Sequence, residues 1–233
     1  RVGPTRRLAG AVAKAGVKTF VSASAVGIYG CRGDAVQTEA SPGDSTFLAH
    51  VCEEWEAAAE PAHAAAGVRV VHPRIGVVLS PKGGALAEQL PAFRAGAGAV
   101  LGDGRQWVSW IGVNDLLGAV HHCLMTDTLS GPVNCVAPGA VTNREFGRVL
   151  ARVLGRPYLL TAPGPALRLL FGELADAALL CSTRAAPVKL EASGFTFDHP
   201  TLEPALRSVL GRTTAHDADR PPVPSALVGE GQG

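Results

Sequence analysis

The alternation of apolar and polar positions opens on a helical repeat. Leu8, Val12 and Ala15 recur at helical spacing among arginines and Lys14 over residues 5–15, and the pattern stops at Gly16. Residues 17–24, VKTFVSAS, read as a short buried strand ending in small hydroxyls, and residues 25–30 turn the chain outward. Gly43, Asp44 and Ser45 then predict the cap of one long helix that carries Phe47, Val51, Trp55 and Ala58 on one face and whose end falls near Gly67. Residues 68–71, VRVV, form the next strand, and a second apolar run covers 75–79. Helix and strand in alternation predict an α/β fold with a parallel sheet.

Beyond Ser80 the order is less regular. Gly83 and Gly84 open a helix that runs through Phe93, a glycine-rich loop covers 96–104, residues 113–125 read as helix and 132–136 as strand. Thr142 and Glu145, three residues apart, look like a capping box at the start of a helix that ends at Gly155. A further helix is expected around 165–170, a short strand at 194–197 and a last helix over 202–210. The tail from Thr213, rich in Pro, Gly and Asp, is expected to be disordered.

Composition narrows the function classes. With 47% hydrophobic residues among 233, the chain can bury a substantial core. Twenty-one Lys plus Arg against twenty Asp plus Glu leave no electrostatic footprint for nucleic acid or an anionic membrane, so small molecules or protein surfaces are the expected partners. The five cysteines are widely spaced, odd in number and without a CxxC pair, which indicates neither a disulfide framework nor a zinc knuckle and fits a reducing cytoplasm. No uninterrupted apolar run approaches the roughly eighteen residues that span a bilayer. No His, Cys and carboxylate set has ligand spacing, so no metal is expected. Gly96, Gly98 and Gly102 follow a helix, whereas the dinucleotide fingerprint requires a preceding strand. A GxxxxGK[ST] phosphate loop and a GxSxG elbow are both absent from the sequence.

The most informative segment is the strand end Val21-Ser22-Ala23-Ser24 running into Ala25-Val26-Gly27-Ile28-Tyr29-Gly30. Small hydroxyls there are either turn formers or, outside the carboxyl end of a strand in an open α/β sheet, ligand contacts. The segment resembles the Ser-Ser-Ala-x-x-Tyr-Gly motif of extended short-chain dehydrogenases such as sugar-nucleotide epimerases, with one additional residue before the tyrosine. Trp55-Glu56-Ala57-Ala58, Pro73-Arg74-Ile75-Gly76, Lys82-Gly83-Gly84-Ala85, residues 104–111 (GRQWVSWI), Asn134, Ala137-Pro138, Thr142-Asn143-Arg144-Glu145-Phe146 and Leu154-Gly155-Arg156-Pro157 follow in order. Phe171-Gly172-Glu173, Lys189-Leu190 and Gly194-Phe195 resemble a small C-terminal module. Over residues 4–210 the chain is thus similar to the atypical epimerase-like family of the short-chain dehydrogenase/reductase superfamily.

The resemblance implies a Rossmann-type parallel sheet, a small C-terminal α+β module, and NAD or NADP as cofactor. It divides the chain into a partial dinucleotide-binding domain over 1–155, the module over 156–212 and the tail over 213–233. It implies Ser24 and Tyr29 as catalytic groups, Ser22, Ala23, Pro73, Arg74 and Ile75 beside the cofactor, and Lys82, Gly83, Gln106 and Trp110 on the substrate side of one cleft. Arg74 is open to two readings, a bidentate partner of a phosphate or substrate carboxylate and a surface salt bridge. Trp107 and Trp110 either stack on a ring or belong to the core, and Asp115 is either a helix cap or a ligand. The resemblance further leads one to expect that the strands and glycine loop that open a Rossmann domain, about sixty residues, precede this sequence, and that without them residues 17–24 would form a sheet edge.

The chain departs from the superfamily pattern at its acid/base pair. Tyr29 is followed four residues on by Gly33 and Tyr158 by Ala162, so no Tyr-x-x-x-Lys exists to lower a tyrosine pKa and hold the nicotinamide ribose. Gly112 also stands where relatives carry His. The expected function is NAD(P)-dependent oxidoreductase or epimerase chemistry on a small, sugar-like substrate, and the alternative is a non-catalytic dinucleotide-binding sensor or assembly protein.

Overall fold

The structure, a computed structural model, describes residues 1–172 and 175–212. Glu173 and the tail from Thr213 lie outside the described residues. In chain order the elements are α1 (Val2–Lys14), β1 (Thr19–Val21), β2 (Ser24–Ala25), a 3₁₀ turn (Val26–Tyr29), β3 (Val36–Gln37), α2 (Phe47–Ala57), α3 (Glu60–Ala66), β4 (Arg69–Ile75), β5 (Val77–Leu79) and α4 (Gly84–Arg94). There follow β6 (Ala99–Leu101), β7 (Trp107–Val108), β8 (Trp110–Gly112), α5 (Val113–Met125), β9 (Gly131–Cys135), β10 (Val141–Thr142) and α6 (Asn143–Leu154). The chain then forms β11 (Leu160–Ala162), α7 (Gly164–Phe171), β12 (Arg184–Ala185), α8 (Val188–Ala192) and α9 (Leu202–Val209).

The central sheet is parallel. β4 pairs with β1 and β2 along one edge and with β9 along the other, and among the described residues β1 and β2 pair on one side only. Val70 and Val71, adjacent on β4, point to opposite faces. Val71 packs with Ala119 and Cys123 of α5, and Val70 with Ala9 of α1 and Ala62 of α3. Helices therefore cover both faces, as a parallel sheet requires. A second core gathers α4, α6 and α9 around Leu86, Phe93, Trp110, Leu150 and Leu206. Gly155 ends α6 in the left-handed conformation, and Thr142 caps its start by accepting the amide of Glu145 at 3.3 Å. The reciprocal half of the box is unmade, because the Glu145 carboxylate takes Arg148 at 2.7 Å instead.

Several expectations are corrected. The long helix is two, α2 and α3. Pro61, at the first turn of α3, has no N–H to continue the α2 ladder. The N-cap of α2 is Thr46, in place of the expected Gly43 to Ser45, and its buried residues are Ala49 and Cys52, while Phe47 is 79% exposed. The strand expected to stop at Val71 runs on to Ile75 with Pro73 inside it. The Ser22 amide donates to the Val71 carbonyl, and the returning bond would have to come from the nitrogen of residue 73. Proline cannot supply it, which accounts for the gap between β1 and β2. Residues 194–197 form no strand; Phe195 and Phe197 instead meet edge to face, with centroids 4.9 Å apart. Finally, Cys31 and Cys181 form a disulfide, contrary to the reading of the cysteines as unpaired. Among the described residues no helix is long and apolar enough to cross a membrane.

Candidate active site

The parallel register Ser24 to Arg74 and Ala25 to Ile75 brings the carboxyl ends of β2 and β4 level. Beyond them the chain leaves in two directions, through the 3₁₀ turn and through Gly76 into β5. A cavity of about 800 Å³ opens between these exits. Ile75, Gly76 and Val77 form its floor, Phe47 and Leu48 one wall, and Trp107 with Val108 another. This is the crevice outside the strand ends where open α/β sheets bind ligands.

Gly76 makes the floor possible. A Cβ there would lie 2.6 Å from the Ser109 carbonyl oxygen and 2.8 Å from Val136, so the crossing of β4 into β5 past β8 admits no side chain.

Residues 179–185 close the cavity as a strap. The Leu179 carbonyl accepts from the Gln106 amide at 2.9 Å, and the Ser182 hydroxyl accepts from the Trp107 amide at 3.0 Å. The Thr183 hydroxyl donates to the Gly30 carbonyl at 2.8 Å, and the Ser109 hydroxyl to the Thr183 carbonyl at 2.8 Å. The Cys31–Cys181 disulfide, with Cα atoms 5.0 Å apart, ties the strap to the loop after Tyr29, and both cysteines line the cavity.

The residues expected to share one cleft separate into two groups. Ile75 and Gln106 line the cavity. Ser22, Ser24, Tyr29, Pro73, Arg74 and Trp110 are buried behind its walls, Ala23 is half-buried outside the lining, and Lys82 and Gly83 are exposed outside it. Trp110 resolves to core: its indole donates to the Gly139 carbonyl at 2.7 Å. Trp107 is the indole that faces the cavity. Asp115 neither caps its own helix nor meets the cavity; its carboxylate accepts the amides of Asp198 and His199 at 2.7 and 3.2 Å and so fastens the C-terminal segment.

Behind the 3₁₀ turn lies a buried polar network. The Tyr29 hydroxyl donates to Asn134 Oδ1 at 2.7 Å and accepts from Arg74 at 3.0 Å. Arg74 also grips the Glu56 carboxylate in a two-point contact, each bond 2.9 Å, so it is a buried ion pair and not the surface bridge or exposed anion clamp considered above. Asn134 donates its side-chain amide to the Ala186 carbonyl, and its backbone amide to Glu39, which also accepts from the Lys189 amide. Burial pushes the Tyr29 hydroxyl above the ordinary tyrosine value, against the pull of Arg74 and Asn134. Burial also works to raise Glu56, but the two bonds and the charge of Arg74 bring it below the usual carboxylate range. Burial works to lower Arg74, yet Glu56 and Tyr29 hold it above its ordinary value. Ser24 Oγ itself is buried and outside hydrogen-bonding geometry with any described group.

Glu39, Glu56 and Asn134 carried no functional reading in the sequence, and local pattern gives none, since their partners are 18 to 150 residues away. Phe47 reads in the sequence only as part of one helical face; at the first turn of α2 it lines the cavity.

The cavity suits the nicotinamide end of a dinucleotide: it sits at the strand ends, is lined mainly by apolar groups and neutral amides with one carboxylate, Asp176, and is bordered by the strap. A glycine loop for the pyrophosphate is not found among the described residues.

Fold and cleft together define a Rossmann-type α/β protein with its ligand crevice at the strand ends. The chain belongs to the NAD dependent epimerase/dehydratase family, whose model matches residues 1–135, while a domain of unknown function, DUF1731, matches residues 162–209. An epimerase family protein of Mycobacterium bovis is 47% identical over 206 residues, covering 88% of this chain and 68% of that protein. An Arabidopsis thaliana relative, described as chloroplastic, is 41% identical over 198 residues, covering 85% of this chain and 56% of the relative. The human epimerase family protein SDR39U1, isoform 2, solved with NADPH, superposes with a TM-score of 0.84 at 32% identity, covering 91% of this chain and 72% of that one.

Proposed function

We propose that the protein is an epimerase-like oxidoreductase that uses NAD or NADP on a small-molecule substrate. The observation that carries this reading is the cavity at the carboxyl ends of β2 and β4, closed by the strap and floored by Gly76. The structural neighbour solved with NADPH favours NADP. The bound nicotinamide supplies a hydride to a carbonyl carbon, or accepts one from an alcohol carbon, and a proton moves to or from the oxygen so that charge balances.

This chain's own residues position and enclose. Ile75 and Val77 support the ring end of the cofactor, Trp107 and Phe47 flank the substrate, and the strap excludes water. For the proton, Ser24 and Tyr29 are the groups that family membership suggests; both are buried outside the cavity lining, Tyr29 at the end of the 3₁₀ turn. The Cys31–Cys181 disulfide removes the cysteine argument for a reducing cytoplasm, and the chloroplastic relative is a reason to test an organellar setting.

The rival reading, a non-catalytic dinucleotide-binding protein, is favoured by one observation, the complete burial of Tyr29 between Arg74 and Asn134. Deuteride transfer separates the two. With NADPH deuterated at the transferable position and a panel of carbonyl compounds, an oxidoreductase delivers label to product. Tight cofactor binding with no label transferred to any compound supports the sensor and ends the enzyme reading.

A further inference from the structure

We infer that the substrate side of the cavity takes an uncharged, largely apolar carbonyl compound or the corresponding alcohol, and not a nucleoside-diphosphate sugar. The inference rests on the oxidoreductase reading and names the substrate class for that site.

The lining carries the argument. Among the described residues no Lys or Arg lines the cavity, and the one carboxylate, Asp176, is already held by Arg168 through bonds of 2.9 to 3.0 Å. Arg184, 4.1 Å from the centroid of the Trp107 ring, is not part of the lining. Lys82, expected on the substrate side, is exposed and outside it. A diphosphate brings two negative charges that need forked or clustered cations when water is removed. Without them the desolvation cost is several kcal/mol per charge by general estimates.

Most neutral polar groups in the lining are also engaged. Gln106 donates both amide hydrogens, to the carbonyls of Leu101 and Leu179. The Ser109 hydroxyl bridges the Thr183 carbonyl and the Ala185 amide, and the Thr183 hydroxyl is bonded to the Gly30 carbonyl. What remains is apolar surface from Phe47, Leu48, Val77, Trp107 and Val108, with the Gln89 amide and the Asn143 NH2, whose oxygen already accepts the Leu101 amide at 3.0 Å, to orient one oxygen. A hydroxyl-rich sugar would leave most of its hydrogen bonds unmade here, whereas an apolar ring system buries surface at little polar cost. A volume of about 800 Å³ accommodates such a ring beside the nicotinamide.

Phe47 allows a test without disturbing the fold, because its side chain is 79% exposed and belongs to the cleft wall. Leu169, 89% exposed on α7 and outside the lining, is the matched control. The neutral fluorophore N-phenyl-1-naphthylamine is titrated into the whole protein, with UDP-glucose as competitor. The expected results are micromolar binding, about tenfold weaker binding in Phe47→Glu, Leu169→Glu indistinguishable from the parent, and no displacement by millimolar UDP-glucose. Absence of binding, an equal loss in both variants, or displacement by UDP-glucose overturns the inference. NADPH titration on the same samples reports on cofactor use separately, so the apolar cavity can fail while the oxidoreductase reading stands, and the reverse.

Discussion

The Tyr29 hydroxyl donates to Asn134 Oδ1 at 2.7 Å across 105 residues of sequence, joining the turn at the end of β2 to the middle of β9. Tyr29→Phe leaves the Asn134 oxygen and one Arg74 N–H without this partner in a buried site. Stability should fall by about 1–3 kcal/mol in denaturant titration. If the proposed proton role holds, turnover by the folded variant falls about a hundredfold with cofactor affinity unchanged. Undiminished turnover would leave Tyr29 as a structural tie alone.

Glu56 and Arg74 form a buried pair, and the carboxyl titrates below its ordinary range in the folded state. A depressed folded value contributes stability that is fully present above the unfolded carboxyl pKa of about 4.3 and is lost as pH falls through the folded value. Acid unfolding should therefore steepen below about pH 4.3. Glu56→Gln should cost about 3–5 kcal/mol at neutral pH, because Arg74 stays buried without its counter-charge. It should also flatten the acid limb, which urea titration across pH measures directly. An unchanged acid limb would assign that limb to other groups.

Reduction of Cys31–Cys181 releases a cross-link between residues 150 apart. The midpoint of thermal unfolding should drop on adding a dithiol, by the equivalent of about 2–5 kcal/mol. The Cys31→Ser, Cys181→Ser double variant should unfold at the reduced midpoint and ignore the dithiol. Hydrogen exchange should rise first in residues 179–185, which are otherwise held by side-chain and backbone hydrogen bonds to the loop and to β7.

Gly76→Ala places a methyl 2.6 Å from the backbone oxygen of Ser109, which cannot rotate away. The strands must separate, at about 1–3 kcal/mol. Calorimetry should show the loss, and cofactor affinity should fall with it, since the floor moves. Parent-like stability would mean that β5 and β8 have slack the packing does not suggest.

The legible part of the fold was the part governed by local chemistry. Gly16, Gly67 and Gly155 ended helices where the apolar repeat stopped, and Thr142 capped α6 as its spacing from Glu145 implied. Residues 113–125 carried a helical repeat that α5 follows from end to end. The Ser22 to Gly30 segment marked the strand end beside which the cleft opens.

Where sequence reading failed, distance was the reason. A proline in a run of apolar residues reads as a strand terminator, yet Pro73 sits in the central strand because β9 aligns with it through other residues and the gap at Ser22–Ala23 absorbs the missing donor. Cys31 and Cys181 show no motif because their spacing of 150 residues carries no periodicity.

By itself, then, the sequence determined the alternation of helix and strand, the parallel sheet and the family, since each rests on apolar period, caps and ordered short motifs. Tertiary structure decided which side of the 3₁₀ turn each group occupies. Ser24, Tyr29 and Arg74 fell behind the wall, where Glu56 and Asn134 satisfy Arg74 and Tyr29. Phe47 and Trp107 fell into the cavity. The cause is that a buried charge or hydroxyl must find its partner wherever the chain brings one, and the partners of Arg74 and Tyr29 come from α2 and β9, elements whose meeting no local pattern encodes.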